Sequence, residues 1–298
     1  MSVMYHYSLK RALRAACALS VAGIIAGCGV SNPAPSAKTA SRPADRRPAP
    51  RVLTKPVPSG ITYSRLRMAD GSLITMATFH GSVRYVLHNG SQDPGGLAGP
   101  VSAGSAITGP SRRQLLAAFN GGFKMTSLAG GYMQEGRVAK PIRDGLASLV
   151  IDRSGRARIG VWGRDVPASG EAVYSVRQNL WPLVVGGQPT AESALWWRWG
   201  GTIGHAEYVA RSALGQNAAG DLMYAASMST TPADLAAALA RAGARVAMEL
   251  DINPEWVQMD AASRPGGPLK ARVPGQHRPA DQYLVGWTRD FIAVLAPA

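Results

Sequence analysis

Cysteine is almost absent from this chain. Its two cysteines, Cys17 and Cys28, lie within the first 28 residues. Residues 61–298 therefore offer no disulfide, no thiol nucleophile and no thiolate ligand. Other absences narrow the chemistry further. No glycine-rich run ends in Gly-Lys-Ser/Thr, which removes a phosphate loop, and no Gly-x-Ser-x-Gly elbow marks a serine hydrolase. His80, His88, His205 and His277 fall at no metal-ligand spacing and read as loop or surface residues; without cysteine a zinc site has little to draw on. Acidic residues are scarce, 18 against 32 lysines and arginines. No internal repeat is visible.

The front of the chain carries an address. Lys10, Arg11 and Arg14 precede an apolar run from Ala15 to Ile25, followed by Ile25-Ala-Gly-Cys28. The run is shorter than the roughly 20 residues that cross a bilayer. A charged start, a short apolar stretch and small residues before a cleavage point make a signal peptide. With cysteine directly after it, residues 1–27 resemble a bacterial lipoprotein signal, and Cys28 is the expected lipidation site. The alternative is an ordinary signal peptide beside a stray cysteine. Residues 28–60, with prolines at 33, 35, 43, 48, 50, 56 and 58, are too rich in Pro, Ala, Ser and Arg to bury a core and read as a tether. The expected location is extracytoplasmic, held at the cell membrane by a lipid anchor. Of the net charge of +14, the tether carries +5 and residues 61–298 carry +6. Most charge per length thus sits in an arm suited to anionic polymers, and the basicity is no sign of nucleic-acid binding.

Residues 61–298 are long enough for one domain. Alternating apolar runs, with turns at His80-Gly81, Ser154-Gly155 and Ala219-Gly220, predict hairpins joining Ser72–Phe79 to Val83–Leu87, Ala147–Asp152 to Arg156–Trp162, and Leu214–Gln216 to Leu222–Ala226. Helical signal concentrates in one place. Thr231 caps, Pro232 opens the first turn and Asp234 meets the positive helix end. Leu235, Ala238, Leu239 and Ala242 then recur at helical spacing, and Gly243 closes the helix. The expected fold is α+β: a single β-rich mixed domain with few helices.

The chemistry concentrates where that helix delivers the chain. In Arg245–Trp256, Val246, Met248, Leu250 and Ile252 share one face of a strand, while Ala247, Glu249 and Asp251 share the other. Two carboxylates at the end of an apolar strand need a cationic, polar or reactive partner to offset their desolvation. They are either a structural pair held by arginines or a reactive site at a strand terminus. A second strand, from Leu115, runs into Asn120-Gly121-Gly122, which is either a plain hairpin turn or a close backbone approach to a ligand. The glycine-rich Lys124–Gly136 stretch that follows reads as a loop over a pocket. All seven tryptophans come after residue 160, and Trp196-Trp197-Arg198-Trp199 cannot all face one core. Such rings suit sugar stacking, or a lid packed on the core or touching lipid headgroups.

Ala118-Phe-Asn-Gly-Gly-Phe123, Arg211-Ser-Ala-Leu-Gly215, Gly220-Asp-Leu-Met-Tyr224 and Leu235–Asp251 follow one another in an order that resembles the phosphodiester glycosidase family, over about residues 61–298. The resemblance implies a hydrolase that cleaves a glycosyl phosphodiester in a wall or envelope glycan. It implies Asp251 as the carboxylate acting at the anomeric centre, with Glu249 in support or as acid. Arg143 and Arg211 become the candidate phosphate clamp, Asn120, Gly121 and Gly122 the candidate orienting groups, and Trp199 a candidate sugar contact. Better-characterised members follow Leu-Asp with small residues, whereas Ile252, Pro254 and Trp256 here reshape the pocket floor. The rival reading is a non-catalytic envelope lipoprotein that binds an anionic or sugar-containing wall polymer. No cofactor is required, although Asp251, Glu249 and an Asn120 oxygen would suit calcium or magnesium.

Overall fold

In a computed structural model of the chain, residues 60–297 are described, apart from 96, 98, 128 and 202. They belong to one compact unit of three β-sheets with few helices. The largest sheet has the strand order Ile61–Arg67, Leu73–Phe79, Leu222–Thr230, Val209–Asn217, Ala244–Glu249, Pro182–Val185, Gln188–Pro189. A second runs Lys270–Ala271, Met259–Ala261, Leu115–Asn120, Phe291–Leu295, Arg84–His88. The third runs Arg137–Lys140, Tyr132–Gln134, Ser175–Gln178, Ala147–Ile151, Ala157–Val161. Among the described residues no helix is long and apolar enough to cross a membrane. The leader, Cys28 and the tether lie outside the described residues.

Alternation along the strands decides what each sheet face meets. Met248 and Leu250 point into a central core with Phe119, Ile292, Leu149 and Ile159, so all three sheets close on one apolar interior. Ala247 points the other way, against Leu235, Ala238 and Leu239 of the helix Pro232–Arg241. That helix begins as its sequence predicts: the Asp234 N–H donates to Thr231 Oγ1 at 3.0 Å, a cap worth about 1 kcal/mol. Gly243 follows its end at φ +99°, a left-handed conformation that disfavours other residues.

Two expectations need correction. Pairing between the named strands is antiparallel throughout, not mixed. The predicted hairpin between Leu73–Phe79 and Arg84–His88 does not form: the first strand pairs with Ile61–Arg67 and Leu222–Thr230, the second with Phe291–Leu295. A turn at His80-Gly81 says that the chain changes direction, not which edge receives it. With their strands in different sheets, Phe79 and Tyr85 are both buried in the core, and their rings meet edge-on at 6.1 Å. The expected hairpins of Ala147–Asp152 with Arg156–Trp162 and of Leu214–Gln216 with Leu222–Ala226 do form, the second extended to Val209–Asn217 with Leu222–Thr230.

The strand Met259–Ala261 brings a carboxylate into the interior. Asp260 is fully buried and accepts from Gln258 Nε2 at 2.5 Å and Gln276 Nε2 at 2.9 Å, with no cation facing it among the described residues. Burial pushes its carboxyl up to about 7. A folded-state value above the ordinary one means that the native state binds the proton more tightly than the unfolded chain. Stability from this group is therefore complete below about pH 4 and is lost as the pH rises through about 7. Asp260→Asn should remove that loss. Gln258 Oε1, buried without a partner, can accept from the new amide if the glutamine flips, at the cost of the 3.1 Å bond that its Nε2 donates to the Pro279 carbonyl. Thermal melts should show the variant more stable than wild type at pH 8, by roughly 2–4 °C for each kcal/mol relieved, and no more stable at pH 4. A gain of the same size at both pH values would show that the carboxylate is not the cause.

Candidate functional site

The ends of three strands, one from each sheet, converge under a single cleft. Asn120 ends the strand Leu115–Asn120, Asn179 follows Ser175–Gln178, and Leu250-Asp251 follow Ala244–Glu249. Their side chains stitch the sheets together. Asn179 Nδ2 donates to the carbonyls of Glu249 and Leu250 at 2.7 and 2.8 Å. Asn120 Nδ2 donates to Ser212 Oγ at 2.9 Å, and the Asp251 N–H donates to the same oxygen at 3.1 Å. Asn120 Oδ1 is taken by the Tyr224 hydroxyl at 2.9 Å. Asn120 is thus a buried tie beneath the cleft and does not line it.

Gly121 and Gly122 are small for a reason that the sequence does not reveal. Neither has a positive φ. A β-carbon on Gly121 would lie 2.0 Å from Asp290 Oδ2, and one on Gly122 would lie 2.8 Å from the Arg177 guanidinium carbon. The backbone is pressed against a fully buried ion pair in which Arg177 Nε and Nη2 donate to Asp290 at 2.7 and 3.2 Å. Arg177 also donates to the carbonyls of Gln178 and Phe123. Every nitrogen of this guanidinium is engaged, so it is an internal strut.

The two carboxylates singled out by strand alternation have different surroundings. Glu249 is fully buried, accepts from Arg211 Nη1 at 2.8 Å and keeps Oε2 without a partner. Burial raises its carboxyl to about 7; Arg211 opposes the rise and Asp251 adds to it. Arg211 is itself fully buried, donating also to the Thr230 and Trp199 carbonyls. This pair underpins the cleft and does not line it. Asp251 does border the cleft. Its Oδ1 accepts from the N–H groups of Ile252 and Asn253 at 2.8 and 2.9 Å, and its Oδ2 faces Arg289 Nη2 at 3.4 Å. Burial raises its carboxyl to about 6, against the pull of Arg289 and of the two backbone donors.

Arg289 was not anticipated from sequence. It is 5% exposed, borders the cleft, and donates to the Gly122 carbonyl at 2.8 Å. Its guanidinium lies over Trp256 at 5.2 Å, and its Nε sits 3.0 Å from Asp93 Oδ2 without hydrogen-bond alignment. Asp93 Oδ1 in turn accepts from the Met125 N–H at 3.0 Å, tying the loop after Gly122 to the same arginine. That loop is held from its other side by Lys140, whose Nζ donates to the carbonyls of Met125, Ser127 and Ala129 at 2.7–2.8 Å. The available sequence signal was a charged Arg289-Asp290 pair directly before the apolar run Phe291–Leu295.

The cleft has a volume of about 740 Å³ and lies between the loop carrying Phe123 and Lys124, the floor at Asp251, and a wall of Trp181, Trp196 and Trp197. Among the described residues Asp251 is its only acidic lining residue, set among Lys124, Arg198, His205 and Arg289. Trp199 is not part of this wall. It is fully buried, donates from Nε1 to the Glu192 carbonyl at 2.7 Å and packs with the helix-side core. Arg143 is exposed; its backbone N–H and carbonyl pair with Gln178, and it does not border the cleft. His88 is a core residue, not a surface one, stacked on Phe291 at 4.5 Å. The cation reading does not fit the donors present. Asn120 Oδ1, Glu249 Oε1 and both Asp251 oxygens already face N–H, O–H or guanidinium groups, and no group of three His, Cys, Asp or Glu among the described residues suits a metal.

Comparison with solved structures places this fold. It is similar to the zebrafish N-acetylglucosamine-1-phosphodiester alpha-N-acetylglucosaminidase catalytic domain, with a TM-score of 0.51 and 16% identity over 82% of this chain and 85% of that one. A hypothetical protein from Synechocystis is matched at a TM-score of 0.48 and 13% identity, over 80% of this chain and 62% of that one. No family model and no curated protein sequence matches the chain. At 16% identity the likeness to the zebrafish domain shows a shared fold and nothing finer.

Proposed function

We propose that this chain is a hydrolase of glycosyl phosphodiesters acting outside the cytoplasm, and that Asp251 and Arg289 carry the reaction. The observation that supports it is the pairing of one carboxylate, Asp251, with the Arg289 guanidinium on the floor of a cleft whose other charged lining residues are basic. When the bond between an anomeric carbon and a phosphate oxygen breaks and water adds to that carbon, releasing free sugar, a phosphate monoester and a proton, positive charge grows on the sugar and negative charge on the departing phosphate in the transition state. The Asp251 carboxylate stabilises the first, and Arg289 and Lys124 stabilise the second. Phosphate leaves readily, so no strong acid is needed, in keeping with the burial of Glu249 away from the cleft. Arg211 and Glu249 then act as the support on which Asp251 rests. The zebrafish domain acts on a phosphodiester-linked sugar by its name, which agrees with this reading.

The test is sugar release from a panel of glycosyl phosphodiesters and matched neutral glycosides. Release confined to the phosphodiesters is expected. Arg289→Lys should raise KM for them by about 10–100-fold, the loss of one or two charge-assisted hydrogen bonds, with a smaller change for any neutral ligand. Equal effects on charged and neutral substrates would remove Arg289 from phosphate binding.

A second reading, a non-catalytic binder of a wall polymer, is favoured by the engagement of both Asp251 oxygens in a local turn and ion pair. Wild type would then bind the panel without turnover. The proposed location at the membrane rests on Ile25-Ala-Gly-Cys28. A fatty-acid analogue should label wild type and spare Cys28→Ala, and equal labelling would refute the anchor.

A further inference from the structure

The reaction proposed above uses the floor of the cleft and Lys124 of the loop beside it, and the tryptophan wall is built for something more. Trp197 is 61% exposed and meets Trp196 edge-on at 6.0 Å. Arg198, next in the chain, lays its guanidinium over Trp181 at 4.7 Å and has no carboxylate partner among the described residues. The buried Trp199 holds Trp181 from behind, edge-on at 6.5 Å. Gly200, at φ +97°, lets the chain turn back between Ile252 and Phe123, where a β-carbon would lie 2.6 Å from Ile252 Cδ1.

The wall is therefore an anchored surface. A guanidinium lying over an indole and without a carboxylate partner keeps N–H donors available for a phosphate or carboxylate. An exposed indole beside it suits the apolar face of a sugar ring. Lys124, across the same cleft, also lacks a carboxylate partner among the described residues. With about 740 Å³, the cleft stands in the upper part of the roughly 300–1,000 Å³ range that encloses drug-sized ligands. That is more room than a single sugar phosphate needs.

We propose that the Trp197–Arg198 wall is a second subsite, and that the substrate is an anionic glycan of at least two sugar-phosphate repeats. The first repeat sits at Asp251 and Arg289. The second rests its sugar on Trp197 and gives its charge to Arg198. This inference rests on the glycosyl phosphodiester reading of the floor and names the length and charge of what that floor cleaves.

Binding by the full chain carrying Asp251→Asn tests it without turnover. The probes are sugar 1-phosphate oligomers of one, two and three repeats, built from glucose or N-acetylglucosamine and capped as methyl phosphodiesters, titrated by calorimetry. Affinity should rise at least tenfold from one repeat to two and change little from two to three. Trp197→Ala and Arg198→Ala should each erase most of that gain while leaving the one-repeat affinity within twofold. Both side chains are exposed, so folding should persist. Equal affinity for all lengths, with turnover of the one-repeat compound by wild type, would overturn the subsite and leave the reaction standing. No binding at any length would overturn both. Anionic vesicles of phosphatidylglycerol bound through Trp197, with no length effect on the glycan, would make the wall a membrane contact and refute the proposal.

Discussion

Asp251→Asn should lower the rate of sugar release from a glycosyl phosphodiester by roughly 10²–10⁴ while leaving the fold intact. The change keeps the shape of the side chain, and the amide oxygen can still accept from the Ile252 and Asn253 N–H groups. What it removes is the negative charge beside Arg289, which in the proposed reaction faces the developing positive centre. Circular dichroism and the denaturation midpoint of the variant should match wild type or exceed it at neutral pH, because a carboxyl raised to about 6 by burial costs stability when ionised. The pH dependence follows with the same sign. In the proposed reaction the ionised form is the competent one, so the wild-type rate should climb with pH through a midpoint near 6. A full rate in Asp251→Asn, or a rate that falls as pH rises from 5 to 7, would exclude this carboxylate from the chemistry. No turnover on any phosphodiester by wild type, together with tight binding, would favour the polymer-binding alternative.

Arg177→Ala should be the most destabilising single change near the site, at about 3–5 kcal/mol. The substitution leaves the Asp290 carboxylate, fully buried, without its cation, and strips the Phe123 and Gln178 carbonyls of their donor. In a domain of this size that corresponds to a fall in Tm of roughly 6–20 °C. The double change Arg177→Met with Asp290→Leu should recover much of the loss, because desolvating the pair offsets much of its attraction. Gly121→Ala should damage the same locus through shape alone, since its β-carbon would overlap Asp290. If Arg177→Ala melts like wild type, the pair is not what holds the glycine turn in place.

What could be read from residues alone was local and periodic. Thr231-Pro-Ala-Asp234 and Gly243 bound a helix because caps and left-handed glycines act within one turn of the chain. Turns at Ser154-Gly155 and Ala219-Gly220 made hairpins because their partner strands are adjacent in sequence. Alternation put Ala247 and Glu249 on the face opposite Met248 and Leu250, which is how the two cores divide that strand. It also drew attention to Asp251.

Partners distant in sequence were decided by the tertiary structure. Arg289 reaches Asp251 from 38 residues away, and Asp290 reaches Arg177 from 113. No periodicity reports such meetings, since they depend on three sheets closing over one core. The same closure buried Arg211 and Trp199, which sequence offered as ligand contacts, and left Trp197 exposed from the same four-residue run. Burial is a property of the assembled sheets. Sequence could therefore nominate an acid at a strand end, while the fold chose its arginine and, through desolvation, raised its carboxyl to about 6.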